Sequence, residues 1–309
     1  MTDILGTSIS YGTSVRALLS NQEVISGKII SCNSRTMYWE SDEDVLCIGQ
    51  ASVGNGPINI LVSDSSWSGL YQQLRVGVQV DISRKKHCGS PTVLIAGTFV
   101  DTFFGGGQGN IRPDGFPVTE WSNYIAKVGK GPVHSADCAS GEPTDISVGL
   151  QAVSRRLWDC KQILQKGLVD PDDNSLAKHV TKALVGLGPG LTPSGDDLLI
   201  GYICGLQLLQ DYLHQAAMFR EQLCSNIGKN LNQTTVISQA HLKWACKGYY
   251  TEPLTNFLQT VSAGDWEGSI RKLAGLLQRG WSSGTDTAVG IVWAMEQGRE
   301  MYNGSSKFN

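Results

Sequence analysis

Through the first third of the chain the apolar positions come in short β-branched runs: EVISGKIISC, TMYWE, DVLCIG, INILV, VGVQVDIS and TVLIAGTFV. Clusters of Gly, Asn, Asp and Ser separate them. Runs of this length that alternate, or stay apolar throughout, predict strands of a small barrel or sandwich. Further along, the period changes to that of a helix. Leu150, Val153, Leu157 and Ile163 fall near one face of a helix over 146–168, and similar patterns recur over 175–185, 196–213, 236–247 and 285–297. The pattern predicts an α+β chain, with a β-rich domain over 1–110 and a mainly α-helical domain over 111–309. The glycine cluster FFGGGQGN, with Gly105, Gly106 and Gly107, marks the expected boundary or a flexible loop. It lacks the G-K-[ST] ending of a phosphate-binding P-loop.

A chain of 309 residues suits two domains or one large one and can bury a real site. Charged residues make up 17% and the net charge is −3, so there is no electrostatic footprint for nucleic acid or an anionic membrane. Small molecules and protein partners are the expected ligands. The eight cysteines lack C-x-x-C spacing, which argues for reduced thiols and against a disulfide framework or a zinc site. No segment offers an apolar run long enough to cross a bilayer and the start has no basic leader, so a cytoplasmic location is expected.

The stretch GLGPGLTPSGDDLLIGY, residues 186–202, runs from a stiff glycine-rich turn through two adjacent aspartates into an apolar helix. Ser194 stands where an N-cap belongs, with Asp197 three residues on in the acidic position of a capping box. Aspartates in a first turn are favoured by the helix dipole, and that alone explains many S-G-D-D strings. The loop nevertheless contains Gly186, Gly188, Gly190 and Gly195 with Pro189 and Pro193, more backbone specification than an ordinary connection requires. Gly188 and Gly190 are expected to hold conformations, or close approaches, that a side chain would obstruct.

That helix start has an echo. SGDDLLIGYICGL at 194–206 aligns without gaps to SGTDTAVGIVWAM at 283–295, matching Ser194 to Ser283, Gly195 to Gly284, Asp197 to Asp286 and Gly201 to Gly290. Two such helices packed side by side in one direction would bring Asp197 and Asp286 together, with Asp196, Thr192, Thr285 and Thr287 around them. Carboxylates beside hydroxyls form a hard-oxygen site suited to magnesium, held by Asp197 and Asp286, or to the amide donors of a small substrate. Asp197, Asp286 and Asp196 are therefore the candidate catalytic residues. Gly188, Gly190, Thr192, Ser194, Gly195, Ser283, Gly284 and Thr285 are candidates for substrate binding. NQTTVISQAHLKWACKG opens a further helix with Thr234, Thr235 and Ser238, which either bind an anion at its N-terminus or simply cap it. His241 on that helix is held in reserve as a base. No G-x-S-x-G elbow supports serine nucleophile chemistry.

GLGPGLTPSGDDLLIGY, TTVISQAHLKWACKGYY and RGWSSGTDTAVGIVWA, in that order, resemble a bacterial family whose best-assigned member is the AllH-type subunit of oxamate carbamoyltransferase. The resemblance is strong over 182–295 and looser in the β-rich part, where GPINILV is most similar. It implies a cytoplasmic protein of allantoin degradation that works with partner subunits. Together they would convert oxalurate and phosphate into oxamate and carbamoyl phosphate, all small anions. Trp281 and the Gly105–Gly107 cluster depart from the form expected of the family and bear on the substrate. The alternatives are a non-catalytic structural or regulatory subunit, whose aspartates are caps, and a magnesium-dependent hydrolase. The latter arises because GTDTAVGIVWA is similar to the aspartate–threonine signature of the ADP-ribosylglycohydrolases.

Overall fold

The computed structural model describes residues 4–85, 90–106, 112–132 and 148–305. Of the glycine cluster, Gly107 to Asn110 lie outside the described residues, as do His87, Cys88, His134 and Cys138. The chain divides into two compact units. One comprises 1–103 together with Tyr249–Thr255, the other Phe104–Gly248 together with Asn256–Asn309.

The first unit is a β-barrel, as the short β-branched runs predict. Its strands are β1 (Ile4–Tyr11), β2 (Val24–Cys32), β3 (Thr36–Glu40), β4 (Val45–Gln50), β5 (Asn59–Val62), β6 (Gln79–Ser83), β7 (Thr92–Leu94) and the short β8 (Thr98–Phe99). The order is β5-β4-β3-β2-β6-β7-β1-β8, and pairing of β1 with β5 closes seven of them into a ring. The closure is antiparallel, with Ser8 opposite Val62 and Tyr11 opposite Ile60, so neither β1 nor β5 is left with an open edge. Ile29, Met37, Trp39, Leu46, Ile48, Ile60, Val80, Ile82 and Val93 are buried in this unit. The Trp39 indole N–H, which would be costly to bury unpaired, donates to the Val80 carbonyl at 2.8 Å. Two short helices, α1 (Thr13–Asn21) and α2 (Asp64–Gln73), interrupt the strands. Neither stands out in the sequence, because DSSWSGLYQQ carries only Trp67 and Leu70 as a buried face.

The second unit contains α3 (Val118–Val128), α4 (Val148–Val169), α5 (Asn174–Leu184), α6 (Ser194–Leu209), α7 (His214–Asn230), α8 (Val236–Cys246), most of α9 (Glu252–Ser262), α10 (Trp266–Leu277) and α11 (Ser283–Ser305). The helical periodicity locates α4, α5, α6, α8 and α11, while α3, α7, α9 and α10 are additional. On α4 the buried stripe is Leu157, Cys160, Leu164 and Leu168, whereas Ile163 is only half-buried. α5 begins as its sequence predicts, since Asp173 accepts from the Ser175 N–H at 2.9 Å, and Gly186 just beyond it has φ of 77°.

α6 is buried at every residue but Ile200, which makes it the centre of the unit. Its neighbour is α11. A Cβ on Gly201 would overlap the Thr287 carbonyl, and one on Gly290 would overlap the Leu198 carbonyl. Further along, Gly205 faces Ala294 and Leu209 faces Gly298. Position numbers rise together on both helices, so they run parallel. The Gly205–Ala294 and Leu209–Gly298 pairs keep the same spacing that relates Ser194 to Ser283. The reciprocal contacts of Gly201 and Gly290 are those of a local twofold axis along the helix pair. The Tyr202 hydroxyl, donating to Gln297 Oε1 at 2.6 Å, ties the two together deeper in the core.

Candidate functional site

Because α6 and α11 are parallel and in register, their N-terminal turns meet. The Thr192 and Ser283 hydroxyls lie 2.8 Å apart, bridging the loop before α6 to the first residue of α11. Asp197 and Asp286 sit one turn in, 6% and 0% exposed. They are close enough that the charge on Asp286 raises the Asp197 pKa.

Asp197 is held well above the ordinary carboxylate range, chiefly by burial and next by Asp286, with a smaller contribution from Asp196. The Ser283 and Thr192 hydroxyls pull the other way by bonding to the charged form. Its Oδ2 is buried without a hydrogen-bond partner. The positive ends of two helices also favour negative charge here, but burial of two carboxylates outweighs them. A proton, a cation or an amide N–H of a ligand would relieve the pair.

Asp196 has a different environment. It is fully buried and accepts from the Gly186 N–H at 2.9 Å, the Ser238 hydroxyl at 2.7 Å and the Thr234 hydroxyl. Burial raises its pKa and these three donors oppose the rise. Adjacent residues on a helix point about 100° apart, so one aspartate faces α11 and the other faces α8 and the glycine loop.

Ser194 is not the N-cap expected from sequence: Pro193 occupies that position, and its carbonyl accepts from the N–H groups of Asp196 at 2.9 Å and Asp197 at 3.2 Å. The fixed φ of proline, −56° here, sets the chain up for the first turn. The capping box therefore does not form, which leaves the Asp197 carboxyl to face Asp286. Thr235 caps α8 by accepting from the Ser238 N–H at 3.1 Å and also donates to the Leu191 carbonyl. Thr234, Thr235 and Ser238 thus tie α8 to the glycine loop and to Asp196. Gly195 and Gly284 lie against the backbone of the preceding helix, at Leu184 and Leu276. Gly188 and Gly190 have φ of 114° and 98°, as expected of positions that exclude a side chain.

Three residues near this site are not evident as a group in the sequence. The Lys130 N–H donates to the Thr285 hydroxyl at 3.1 Å, and the neighbouring Gly131, with φ of 93°, abuts Ser282. The Arg279 carbonyl accepts from the Gly284 N–H at 3.1 Å. His241, one turn beyond Ser238, has its pKa pushed down to about 4 by burial and by Arg279. The string GKG at 129–131 is the one local signal among them, and it gives no hint of its partner more than 150 residues away.

Among the described residues no group of three or more His, Cys, Asp or Glu side chains could hold a metal ion. Magnesium tolerates one or two carboxylates when phosphate oxygens and water complete its octahedron. Asp197 and Asp286 fit that pattern only with a substrate supplying further ligands.

The described residues thus form a barrel and a helical unit whose central parallel helices place two buried acids, Asp197 and Asp286, at their paired starts. Residues 184–295 match the family described as oxamate carbamoyltransferase subunit AllH. The matched stretch runs from the end of α5 into α11 and contains both helix starts, while the barrel lies outside it. No solved structure matches the chain. No described helix is long and apolar enough to cross a membrane.

Proposed function

We propose that the chain is a subunit of a cytoplasmic oxamate carbamoyltransferase-like enzyme that acts with partner subunits, and that Asp197 and Asp286 are its acid–base pair. The single observation that carries this reading is the buried, mutually repelling pair at the meeting of two helix N-termini, inside the stretch that matches the family. In phosphorolysis of oxalurate, a phosphate oxygen attacks the carbamoyl carbon and the bond from that carbon to the oxamate nitrogen breaks. The phosphate hydroxyl must lose a proton and the departing nitrogen must gain one. Two carboxyls sharing one proton can do both: the ionised one accepts from phosphate, and the protonated one donates to nitrogen. Sharing the proton also lowers the repulsion between the pair and an anionic substrate. Asp197, 6% exposed against 0% for Asp286, is assigned the contact with substrate, and Asp286 the setting of its charge state. Where magnesium is bound, these two carboxylates would be its protein ligands, and it would screen the phosphate from them.

A non-catalytic role for the chain is the second reading. It is favoured by the internal engagement of Thr234, Thr235, Ser238 and Asp196, which leaves few of the expected ligand-binding groups free. Reconstitution of the native chain, Asp197→Asn and Asp286→Asn with the partner subunits separates the two. The first reading expects assembly with at least a hundredfold loss of oxalurate phosphorolysis, and a chelator arm reads any need for magnesium. Assembled variants with full activity would establish the non-catalytic role.

A further inference from the structure

Away from the acid pair, α7 and α8 each carry a half-buried cysteine, Cys224 and Cys246. The Cys224 sulfur lies 3.9 Å from the Cys246 carbonyl oxygen, a long contact in which the thiol donates. The two thiols are also close enough for each to influence the ionisation of the other. The Arg220 guanidinium, one turn before Cys224, donates to that same Cys246 carbonyl at 3.2 Å. A cation, a thiol and a second thiol therefore share one corner of the helical unit. Neither the acid pair nor the carbamoyl chemistry uses them.

We propose that Cys224 and Cys246 are a reactive dithiol that closes to a reversible disulfide when the protein meets a two-electron oxidant of the hydroperoxide class. The pairing supplies both partners. Cys224 is held below the ordinary thiol range by the hydrogen bond from Cys246 and, more weakly, by Arg220, against the opposing effect of burial. Cys246 is held above it, because its proton is committed to that bond and its site is buried. Once it releases the proton it donates to the Cys246 carbonyl, Cys224, one turn from the Arg220 guanidinium, is the attacking thiolate and Cys246 the resolving thiol. In the first step the Cys224 sulfur attacks one peroxide oxygen, the O–O bond breaks, and Cys224 becomes a sulfenic acid as the other oxygen leaves as water. In the second step the Cys246 sulfur attacks the Cys224 sulfur, the S–O bond breaks, and a second water departs. Overall, two thiols lose two hydrogens and one hydrogen peroxide becomes two waters. By contrast, Cys160 is buried with its pKa pushed up to about 11, mainly by burial, and should stay inert on the same timescale.

The full chain, freed of reductant, is treated with hydrogen peroxide, alkylated, and mapped by mass spectrometry without reduction. The expected result is loss of alkylation at both Cys224 and Cys246, a linked peptide pair two hydrogens lighter than its parts, and recovery of both thiols with dithiothreitol. In Cys246→Ser, the Cys224 sulfenic acid should persist and be captured by dimedone. In Cys224→Ser, Cys246 should remain a thiol. Peroxide treatment of the native chain that leaves both thiols open to alkylation, or carries Cys224 to the sulfinic acid with no linked peptide, overturns the proposal. That native-chain readout requires neither variant to fold.

Discussion

The hydroxyls of Thr192 and Ser283 are 2.8 Å apart, and they join two helix starts that are far apart in sequence. Both hydroxyls also support the ionised form of Asp197, so the bridge stabilises the loop and moderates the acid pair together. Thr192→Val and Ser283→Ala should each cost about 0.5–1.5 kcal/mol, the usual net worth of a hydrogen bond. The double variant should cost clearly less than the sum, because either single change already removes the bridge. Chemical denaturation of all four proteins checks this, and strict additivity would show that the two hydroxyls act apart.

The crossing of α6 and α11 depends on Gly201 and Gly290. A methyl group at either would overlap the backbone of the other helix, and backbone has no rotamer by which to move aside. Gly201→Ala and Gly290→Ala should each destabilise by about 3 kcal/mol or more. Gly228 is the control. It lies in α7 with nothing within 4 Å of an added Cβ, so Gly228→Ala should stabilise by about 0.5–1 kcal/mol. Thermal unfolding of the three variants reads the contrast.

These glycines also indicate how much the sequence discloses. The S-G-x-D echo and its spaced glycines are local patterns, and they were enough to anticipate a parallel helix pair with Asp197 facing Asp286. The role of Asp196 was not legible, because its donors Gly186, Thr234 and Ser238 come from two other segments. Nor was the pairing of β1 with β5 and β7 that closes the barrel, since strand order is decided by non-local contacts. Proline at 193 defeats the capping-box reading for a local reason: its fixed φ takes the cap position one residue early.

Asp196 and Asp197 are neighbours with different expected responses. Removing the Asp196 carboxylate orphans three donors in a buried site, and each such donor costs about 1–3 kcal/mol. Asp196→Ala should therefore lose at least about 3 kcal/mol or fail to fold. Asp196→Asn should fall between Asp196→Ala and the native chain, because it keeps one accepting oxygen. If Asp196→Ala is no less stable than Asp197→Asn, the strut role assigned to Asp196 is wrong.

In the loop before α6, Gly188 and Gly190 differ in what surrounds them. An added Cβ at Gly188 would come within 3.0 Å of the Ser194 nitrogen, while at Gly190 it would meet nothing within 4 Å. Both have positive φ, so each alanine variant should lose about 1 kcal/mol or more from backbone strain alone, with Gly188→Ala the worse. Equal loss at both positions would assign the whole effect to backbone conformation.

The acid pair makes a prediction about pH whose sign is fixed by the direction of the shift. In the folded chain Asp197 has a pKa well above its ordinary 3.8, so the native state keeps a proton that the unfolded chain releases. The stability that this proton represents is fully present below about pH 3.8 and is lost as pH rises through the folded value. His241 acts in the opposite sense. Its pKa is lowered to about 4 from 6.5, so its contribution is present above pH 6.5 and is lost as pH falls through about 4. The difference between native chain and Asp197→Asn removes His241 from the comparison. Asparagine mimics the protonated acid and cannot ionise. The variant should therefore match the native chain at low pH and exceed it at high pH by about 1.4 kcal/mol for each pKa unit of the shift. Urea denaturation of both proteins from pH 5 to 9 measures the divergence. Curves that stay parallel across that range would mean that Asp197 ionises in the folded chain much as it does in the unfolded one, leaving the pair without the shared proton on which the proposed acid–base role depends.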